Sequence, residues 1–449
     1  MRLRVRRGPA LRGRVRVPGD KSIGHRAILL AALARGRCVV RGLSGGADNL
    51  STLAAIGAMG VRTSREGDAL RVEGVGLRGL RMPAKVIDCG NSGTTMRLLA
   101  GLLSGQRFGV RLVGDESLSR RPMGRVVGPL RARGAHIGGT TAEGRPATEG
   151  ALYPPLSIAP LVDGEALLGL EYEMPVASAQ VKSCLLLSGL YAAGPTALSE
   201  PVVSRDHTER MLMALGVPLH TAGAAVYLDP SEWGGGWDGF SWMIPGDLSS
   251  AAFVLAAASM VPGSQVVVEG VGVNPTRTGL LDMLRFMGGR VDLARRSEGV
   301  PGEPTADLAI AHTPLRGALL GGELLVRMID EVPALCAMAA TARGCTEIRD
   351  AQELRVKETD RVAAMAAVLD AFGVPSEELE DGLVVTGGGP LRPARVHSRG
   401  DHRVAMAAAL LGLVAEGETV VEGAECIATS FPTFVPTLRA LGAVIEEES

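Results

Sequence analysis

The stretch VPGDKSIGHRAILLAALARG, residues 17–36, sets the pattern on which the whole chain is built. A short polar segment runs directly into an almost uncharged helix rich in Ala and Leu. The same arrangement recurs along the 449 residues, and the six copies begin at Asp20, Gly90, Ser178, Asp247, Asp330 and Asp401. Six matches in order predict an internal repeat, in which each copy is one structural unit.

A strand and a second helix complete each unit. Most of the apolar helices are followed by a β-branched run, such as the CVV that starts at Cys38. The second helix then closes at a short motif with Gly, which begins at Met59, Arg133, Leu215, Met287, Phe372 or Leu441. Because a helix that is apolar on all sides needs full burial, we expect an inside-out α/β fold with buried helices inside and sheets outside.

The chain is too long for one hydrophobic core, and its repeats divide into two sets of three. VPGDKS from Val17 and IPGDLSS from Ile244 are related segments, and three units follow each of them. We therefore predict two similar lobes, with the chain crossing between them near Pro18 and Pro245. One lobe covers residues 20–245, and the other combines 1–19 with 246–449. The active site is expected in the cleft between them.

The start of each apolar helix has a chemical meaning. Its first backbone N–H groups lack intrahelical partners and carry partial positive charge, so several helix starts around one crevice would attract anions. The alternative is that the polar residues at these positions are simple N-caps, and for Asp247 we adopt that reading. The other candidate N-caps are Asp20, Ser178, Asp330 and Asp401.

Composition excludes several classes of function. The 47 basic and 48 acidic residues give a net charge of −1, which argues against a broad surface for nucleic acid or anionic membranes. Aromatic residues make up 3%, which leaves few platforms for stacked bases. The cysteines lack CxxC spacing and indicate reduced core residues of a cytoplasmic protein: Cys38, Cys89, Cys184, Cys336, Cys345 and Cys426. Without HExxH spacing either, we expect no metal site.

Basic residues cluster in short segments that fit anionic ligands. PGDKSIGHR holds Lys21, Ser22 and Arg26 at a helix start, where they suit a phosphate or carboxylate or form a solvated first turn. SLSRRPMGR contributes a basic loop that could equally be a surface patch, with Arg120, Arg121 and Arg125. SAQVKS and VSRDHTER add polar groups that could also serve in capping or in an Arg205–Asp206 ion pair, namely Ser178, Gln180, Lys182 and Arg205.

The segment LRVKETDR is the most informative. On a helix, Lys357, Glu358 and Arg361 would share one side, which alone would be an ordinary salt-bridged face. The same half of the chain supplies a carboxylate pair, a histidine and a further guanidinium group at two helix starts: Asp330, Glu331, His402 and Arg403. Planar Arg forks suit bidentate binding of carboxylate or phosphate.

Together these segments resemble the motifs of the 5-enolpyruvylshikimate-3-phosphate synthase family, in that family's order and over nearly the whole chain. The motifs are PGDKSIGHRA, GNSGTTMR, RRPMGR, SAQVKS, SRDHTE, NPTRTG, IDEVPA, LRVKETDR, GDHRVAM and TSFPTF. The resemblance implies two lobes of three inverted αβ repeats around an active-site cleft. It also implies transfer of the enolpyruvyl group of phosphoenolpyruvate to the 5-hydroxyl of shikimate 3-phosphate, with release of phosphate.

The resemblance assigns binding residues by motif. For shikimate 3-phosphate it implies Lys21, Ser22, Arg26, Ser178, Ala179, Gln180, Arg205, Asp330 and Lys357. For phosphoenolpyruvate it implies Lys21, Gly93, Arg121, Gln180, Arg361 and Arg403. The chain is then expected to be a cytoplasmic monomer that needs no cofactor or metal and binds these two small molecules, with no nucleic-acid or membrane partner.

The implied chemistry needs a base for the 5-hydroxyl proton and an acid for the methylene carbon. Asp330 is the expected base, Glu358 and Lys21 are both candidates for the proton donor, and His402 is expected to orient its neighbours. The sequence does not distinguish which carboxyl moves which proton.

The chain departs from the family pattern at three positions. Thr429 stands where many members have Lys, which puts one phosphoenolpyruvate contact in doubt, and Ala179 replaces the second Ser of a Ser-Ser-Gln motif. Arg205 stands where other members use Ser, so the last two changes suggest a branch that grips the sugar phosphate with Arg. Gly93 leaves room beside phosphoenolpyruvate, and our hypothesis is that glyphosate competes there.

Three other functions remain as alternatives. The sister enolpyruvyl transferase that acts on a UDP-amino sugar, UDP-N-acetylglucosamine, shares the fold but usually has a reactive Cys in the loop that here reads DESLSRRP. A nucleic-acid end-binding protein built from similar repeats conflicts with the near-neutral charge. A binding module without catalysis conflicts with the presence of all the charged motif residues.

Overall fold

Six αβ units follow one another along the chain in the computed structural model, which describes residues 1–147, 152–296 and 299–448. Each unit has one inner helix that is almost entirely buried. The inner helices are Lys21–Leu33, Gly93–Ser104, Ala179–Gly189, Leu248–Met260, Val332–Thr341 and His402–Gly412. Each unit also has an outer helix, and these are Ala47–Ala58, Gly124–Ala132, His207–Ala214, Gly279–Phe286, Arg361–Ala371 and Phe434–Ala440.

Side-chain caps begin five of the six inner helices. A carboxylate or hydroxyl oxygen accepts a hydrogen bond from a first-turn N–H at Asp20, Ser92, Ser178, Asp247 and Asp401. The expected cap by Asp330 is wrong, because Asp330 lies in the 3-10 turn Ile329–Glu331 and Glu331 occupies the N-cap without a side-chain bond. Pro333 in the first turn provides a helical φ without needing a capped N–H.

Glycines in the left-handed conformation end the outer helices at the six predicted motifs. The residue after each C-cap has a φ between 75° and 101°, and these residues are Gly60, Gly134, Gly216, Gly288, Gly373 and Gly442. Only Gly adopts this conformation without a Cβ penalty, so each motif stops its helix at the same point.

Each unit is covered by one sheet with a parallel pair at one end and antiparallel neighbours beyond it. In the order of paired neighbours, the sheet of the first unit contains Ser241–Met243, Arg35–Arg41, Ala69–Val75 and Arg62–Glu66. The sheet of the second unit contains Ile87–Asp88, Val110–Val113, Tyr153–Ile158, Ile137–Thr140 and Pro146–Ala147. The sheet of the third unit contains Leu170–Glu173, Thr196–Ser199, Ala225–Leu228 and Leu219–Ala222. The sheet of the fourth unit contains Val291–Arg296, Thr305–Ala311, Gln265–Gly272 and Arg12–Arg16. The sheet of the fifth unit contains Leu319–Leu320, Gly344–Ile348, Gly382–Gly387 and Ser376–Leu379. The sheet of the sixth unit contains Arg395–His397, Glu418–Glu422, Arg2–Arg6 and Val444–Glu448.

Two strands are exchanged between the first and fourth units. Arg12–Arg16 precedes the first inner helix but pairs in parallel with Gln265–Gly272 of the fourth unit. Ser241–Met243 precedes the fourth inner helix but pairs in parallel with Arg35–Arg41 of the first. The two chain crossings lie side by side, and the backbone N–H of Asp20 donates to the carbonyl of Pro245 at 2.7 Å.

Two separate hydrophobic cores confirm the predicted two-lobed α/β fold. One core joins Leu3, Val5, Leu11 and Val17 to residues between 248 and 445. The other contains residues between 23 and 244 together with Val300. The N-terminal strand Arg2–Arg6 completes the sixth sheet, since it lies between the strands Glu418–Glu422 and Val444–Glu448.

Two expectations from the sequence are wrong. Lys357 and Glu358 are not helical, because the 3-10 turn Gln352–Val356 ends before them and Asp360 caps a helix that begins at Arg361. Cys345 is exposed and Cys426 half-buried, so these two are not core residues, although the six cysteines are all free.

The remaining short helices are Glu116–Ser119, Gly322–Val326 and the 3-10 turns Pro230–Glu232 and Ala424–Thr429. None of the described helices combines the length and apolarity needed to cross a membrane.

Candidate active site

A cleft of about 1040 Å³, counting its open mouth, lies between the two lobes. The starts of five inner helices reach its wall through Lys21, Ser22, Gly93, Thr94, Gln180, Ser249 and Arg403, and the 3-10 turn before the remaining inner helix reaches it through Asp330. This is the convergence of helix N-termini that the repeats predict, and it creates positive potential in the cleft. Asp247 is more than an N-cap, because it also lines the cleft and accepts hydrogen bonds from the Lys21 N–H at 3.2 Å and from Arg277 at 3.1 Å.

Cationic side chains outnumber carboxylates on the described wall of the cleft. Nine cations line it: Lys21, Arg97, Arg121, Arg125, Arg205, Arg277, Lys357, Arg361 and Arg403. The five carboxylates are Asp48, Asp247, Asp330, Glu353 and Glu358. The chain as a whole has a net charge of −1, so this excess of positive charge is confined to the cleft. The cleft is therefore suited to small anionic ligands.

Asp330 is surrounded by guanidinium groups. Arg205 donates to its Oδ2 at 2.6 Å, and Arg361 approaches its Oδ1 at 3.3 Å. Arg403 donates to its backbone carbonyl at 2.7 Å. Burial by itself raises the pKa of the Asp330 carboxyl, but Arg205 and the surrounding cations outweigh burial and hold that pKa well below its usual value. Asp330 is therefore ionised and able to accept a proton.

The sequence suggested an ion pair between Arg205 and Asp206, but the two residues have other partners. Its guanidinium turns into the cleft toward Asp330, whereas Asp206 accepts from Arg210 at 2.8 Å. Arg210 follows Asp206 by four residues on a helix, which is the better spacing for a local ion pair.

Glu358 is held between two arginines. Arg361 donates to its Oε2 at 2.6 Å, and Arg121 lies 3.8 Å from its Oε1. Burial raises the pKa of Glu358, but Arg361 and Arg121 hold it well below its usual value. The adjacent Lys357 has a lowered pKa, chiefly because it is buried. The three residues of LRVKETDR thus meet in the cleft although the first two are not helical.

The second group of contacts surrounds Gly93. Arg97 donates to the Gln180 side-chain oxygen at 2.7 Å, and Gln180 donates to Thr94 at 2.9 Å. A Cβ at Gly93 would lie 2.7 Å from the Arg97 Nη1 and 3.4 Å from the Arg121 Nη1. The backbone at this position therefore approaches two guanidinium groups closely, and Gly keeps that space free.

Comparisons with known proteins agree with this geometry. Residues 5–438 match the model of a family described as EPSP synthase (3-phosphoshikimate 1-carboxyvinyltransferase). The chain belongs to the EPSP synthase family. It is 52% identical to the 3-phosphoshikimate 1-carboxyvinyltransferase of Geobacter sulfurreducens over 431 residues, which cover 96% of each chain. It is 48% identical to the enzyme of the same description from Acidithiobacillus ferrooxidans over 447 residues, 99% of each.

Solved structures of the EPSP synthase family have the same architecture. The EPSP synthase of Acinetobacter baumannii superimposes with a TM-score of 0.86 at 41% identity, over 100% of both chains. The enolpyruvyl transferase NikO of Streptomyces tendae superimposes with a TM-score of 0.78 over 99% of this chain and 98% of its own, at 19% identity, which shows a shared fold alone.

Three residues that the EPSP synthase motifs assign to the site do not line the cleft. Arg26 is buried behind the wall, where it donates to Thr208 and Ser183 at 2.6 Å each and to the Ser22 carbonyl at 2.9 Å. Ala179 is also absent from the lining, and so is His402. Burial lowers the pKa of His402 to about 4, so its imidazole is neutral near pH 7. Their contact with substrate stays a prediction.

Several cleft residues of this family member were not singled out from the sequence. They are Asp48, Asn91, Thr94, Arg97, Ser249, Arg277 and Glu353. Arg97 and Thr94 belong to the quoted GNSGTTMR motif, so that motif already held a signal for them. Asp48 lies on the first outer helix and pairs with Lys21 at 2.8 Å, a contact between segments that no local pattern indicates. Thr429 is absent from the lining of the cleft.

Proposed function

We propose that the protein transfers the enolpyruvyl group of phosphoenolpyruvate to the 5-hydroxyl of shikimate 3-phosphate, as a 3-phosphoshikimate 1-carboxyvinyltransferase of the shikimate pathway. The observation that carries the proposal is the cleft in which five helix starts and nine cations surround two ionised carboxylates. Each substrate has a phosphate and a carboxylate, so both are multiply charged anions of the size that such a cleft accepts. The family membership over nearly the full chain supports the same reaction.

The two substrates share the cleft in this proposal. Shikimate 3-phosphate binds Lys21, Ser22, Arg26, Ser178, Ala179, Gln180, Arg205, Asp330 and Lys357. Phosphoenolpyruvate binds beside it, at Lys21, Gly93, Arg121, Gln180, Arg361 and Arg403. In the structure, Arg205 pairs with Asp330 and Arg361 pairs with Glu358. When the substrates bind, their anionic groups replace these carboxylates at some of the guanidinium N–H groups.

Asp330 removes the 5-hydroxyl proton while that oxygen forms its bond to C2 of phosphoenolpyruvate. C3 takes a proton from Glu358 or Lys21, which gives a tetrahedral intermediate. The group that gave the proton then takes one back from C3 as the bond from C2 to the phosphate oxygen breaks, which produces the enol ether, and the released phosphate takes the proton from Asp330. The low pKa of Asp330 keeps it ionised for the first step.

Glu358 must carry a proton to act as the donor. Its low pKa depends on Arg361 and Arg121. When phosphoenolpyruvate binds these two arginines, its negative charge offsets theirs and raises the pKa of Glu358 toward protonation. His402, neutral and buried next to Arg403, orients its neighbours.

Phosphate release from phosphoenolpyruvate tests the proposal. We expect release that depends on shikimate 3-phosphate and is not supported by UDP-N-acetylglucosamine as acceptor. The Asp330→Ala variant should lose about 10²-fold or more in kcat, the usual contribution of a general base. Calorimetry should still detect binding of shikimate 3-phosphate to that variant, and near-normal turnover would reject the assignment of the base.

The lobes, the location and the oligomeric state predicted from the sequence belong to the same proposal. We infer that residues 20–245 form one lobe and that 1–19 with 246–449 form the other, supported by the two strand exchanges. The protein works as a cytoplasmic monomer without cofactor, metal, nucleic-acid or membrane partner, and the free cysteines support the reducing compartment. Sedimentation at micromolar concentration measures the oligomeric state, and finding a dimer would contradict the proposal that the protein is a monomer.

A further inference from the structure

Of the motif NPTRTG, residues 274–279, only Arg277 lines the cleft, and Asn274 has no role in the transfer proposed above. Asn274 at its start follows the strand Gln265–Gly272 of the fourth unit. Its side-chain N–H donates to the Oδ1 of Asp206 at 2.7 Å. Asp206 directly follows Arg205 in the third unit, so this bond links the fourth unit to a substrate-facing loop of the third.

The carboxylate of Asp206 is engaged on both oxygens. Its Oδ1 accepts from Asn274, and its Oδ2 accepts from Arg210 at 2.8 Å. Arg210 also donates to the carbonyl of Gly302 in the fourth unit at 2.7 Å. Burial raises the pKa of Asp206, but the hydrogen bonds from Arg210 and Asn274 outweigh it and lower the pKa. Asp206 is therefore ionised and fixed in position.

The orientation of the Asn274 amide is determined by its four contacts. The side-chain nitrogen donates to two carboxylates, those of Asp206 and Glu303, the latter at 3.0 Å. The side-chain oxygen accepts from the backbone N–H and the hydroxyl of Thr276, at 2.9 and 2.8 Å. A flipped amide would face its oxygen to two carboxylates, so only one orientation satisfies every partner.

Glu303 makes a second link between the same two units. Its Oε1 lies 2.7 Å from the Nδ1 of His207, the first residue of the helix His207–Ala214. The two side chains are 1% and 2% exposed. Because separating a buried pair leaves uncompensated polar groups, this contact resists displacement of the helix start. Residues 206 and 207 are thus anchored from outside their own unit by two adjacent bonds.

We propose that Asn274 and Glu303 are positioning residues that anchor residues 206–207 and thereby hold Arg205 at the substrate. Arg205 reaches Asp330 at 2.6 Å across the cleft. A long guanidinium side chain loses less conformational freedom on binding when its backbone is already fixed. The inference rests on the proposed function, in which Arg205 grips the phosphate of shikimate 3-phosphate.

Steady-state kinetics of two variants give the first test. Asn274→Ala removes both donated bonds and is expected to raise the KM for shikimate 3-phosphate about tenfold, as is usual for losing a hydrogen bond to a charged group. The KM for phosphoenolpyruvate should change less than about twofold, since Arg205 is assigned to shikimate 3-phosphate and not to phosphoenolpyruvate. Asn274→Asp should raise the first KM further, because it brings three carboxylates together.

A double-mutant cycle with Arg205→Ala separates positioning from a general structural effect. If Asn274 acts through Arg205, Asn274→Ala should change the KM for shikimate 3-phosphate less than about twofold in the Arg205→Ala background. A full tenfold effect in both backgrounds would overturn the inference. An unchanged KM in the wild-type background would overturn it as well.

A milder pair of variants covers the case in which Asn274→Ala does not fold. Thr276→Val removes the hydroxyl that orients the amide and should raise the KM for shikimate 3-phosphate about twofold to threefold. Thr278→Val is the matched control, because Thr278 is half-buried in the same turn and its hydroxyl contacts Arg327 and Pro275 but neither Asn274 nor Asp206, and it should leave that KM unchanged. Equal KM values for the two variants would contradict the inference. Absence of any turnover in the wild type would instead reject the proposed function.

Discussion

Gly93 shows how little space the cleft leaves next to its guanidinium groups. A Cβ there would meet the Arg97 Nη1 at 2.7 Å, which is a flexible side-chain end, and the Arg121 Nη1 at 3.4 Å. A methyl group is therefore accommodated only if these groups shift. Since Arg121 is assigned to phosphoenolpyruvate, the shift would occur where that substrate and any competitor bind.

We predict that Gly93→Ala weakens inhibition by glyphosate, the proposed competitor of phosphoenolpyruvate. Overpacking by one methyl group costs about 1–3 kcal/mol, so the inhibition constant should rise by about tenfold or more. The KM for phosphoenolpyruvate should rise less, because phosphoenolpyruvate is one atom shorter than glyphosate between its carboxylate and its phosphorus and tolerates the shift better. Inhibition assays on both proteins measure the difference, and equal constants would reject the hypothesis.

Two buried histidines should make stability depend on pH. Burial lowers the pKa of His25 to about 3 and that of His402 to about 4. In the unfolded chain both bind a proton near pH 6.5. The unfolded state therefore binds more protons below pH 6.5, and the stability present above that pH is lost as the pH falls.

We predict that each of these histidines lowers the free energy of unfolding by about 1.4 kcal/mol per pH unit below pH 6.5. Between pH 6.5 and 5 the carboxylates contribute little, because they titrate lower in the unfolded chain. Urea titrations over this window measure the slope. His25→Asn should reduce the slope by about half, whereas the exposed control His220→Asn should not. An unaltered slope in His25→Asn would contradict the assignment.

At the scale of elements, Arg133 connects an outer helix to the next inner helix. It is fully buried beyond the end of Gly124–Ala132, and burial lowers its pKa to about 10. Its guanidinium donates to the Leu185 carbonyl at 2.9 Å and to the Ser188 and Thr196 hydroxyls at 2.5 and 2.6 Å. It thus satisfies polar groups in the C-terminal part of the inner helix Ala179–Gly189.

We predict that Arg133→Leu destabilises the protein by about 3–5 kcal/mol, because the buried Ser188 and Thr196 hydroxyls each lose the hydrogen bond donated by Arg133, and each lost bond to a charged group costs about 1.5–3 kcal/mol. Thermal and urea unfolding measure the change. Arg120→Leu is the control, since Arg120 is exposed and paired only at the surface, and it should change stability by less than about 1 kcal/mol. Equal losses in the two variants would show that Arg133 has no special role.

At the scale of the whole molecule, the two lobes are joined by exchanged strands and by buried side chains at the crossings. Arg277 donates to Asp20 at 2.9 Å, to Asp247 at 3.1 Å and to Ser249 at 2.7 Å. On the exposed side of the cleft, Arg125 and Glu353 form a partly exposed pair at 2.8 Å. The buried side is the costlier one to separate, so opening of the cleft is expected at the exposed side.

The sequence by itself determined the elements that depend on local spacing. The six inner helices, four of their caps and the six glycine stops were predicted, and they follow from side chains that bond or restrict the backbone within a few residues. The motif residues Lys21, Arg121, Lys357 and Arg403 were also predicted, and they do meet in one cleft. Local chemistry suffices for these features because it acts before distant segments come together.

Only the tertiary structure decided which distant segments became partners. Arg205 turns to Asp330 instead of its neighbour Asp206, and Asp48 pairs with Lys21 from a separate helix. The sequence predicted the lobes to which Arg12–Arg16 and Ser241–Met243 belong, but their pairing partners were decided in the same way by the tertiary structure. Such choices depend on where the packed helices bring charges together and on how costly an unpaired charge is once buried, and neither quantity can be obtained from spacing along the chain.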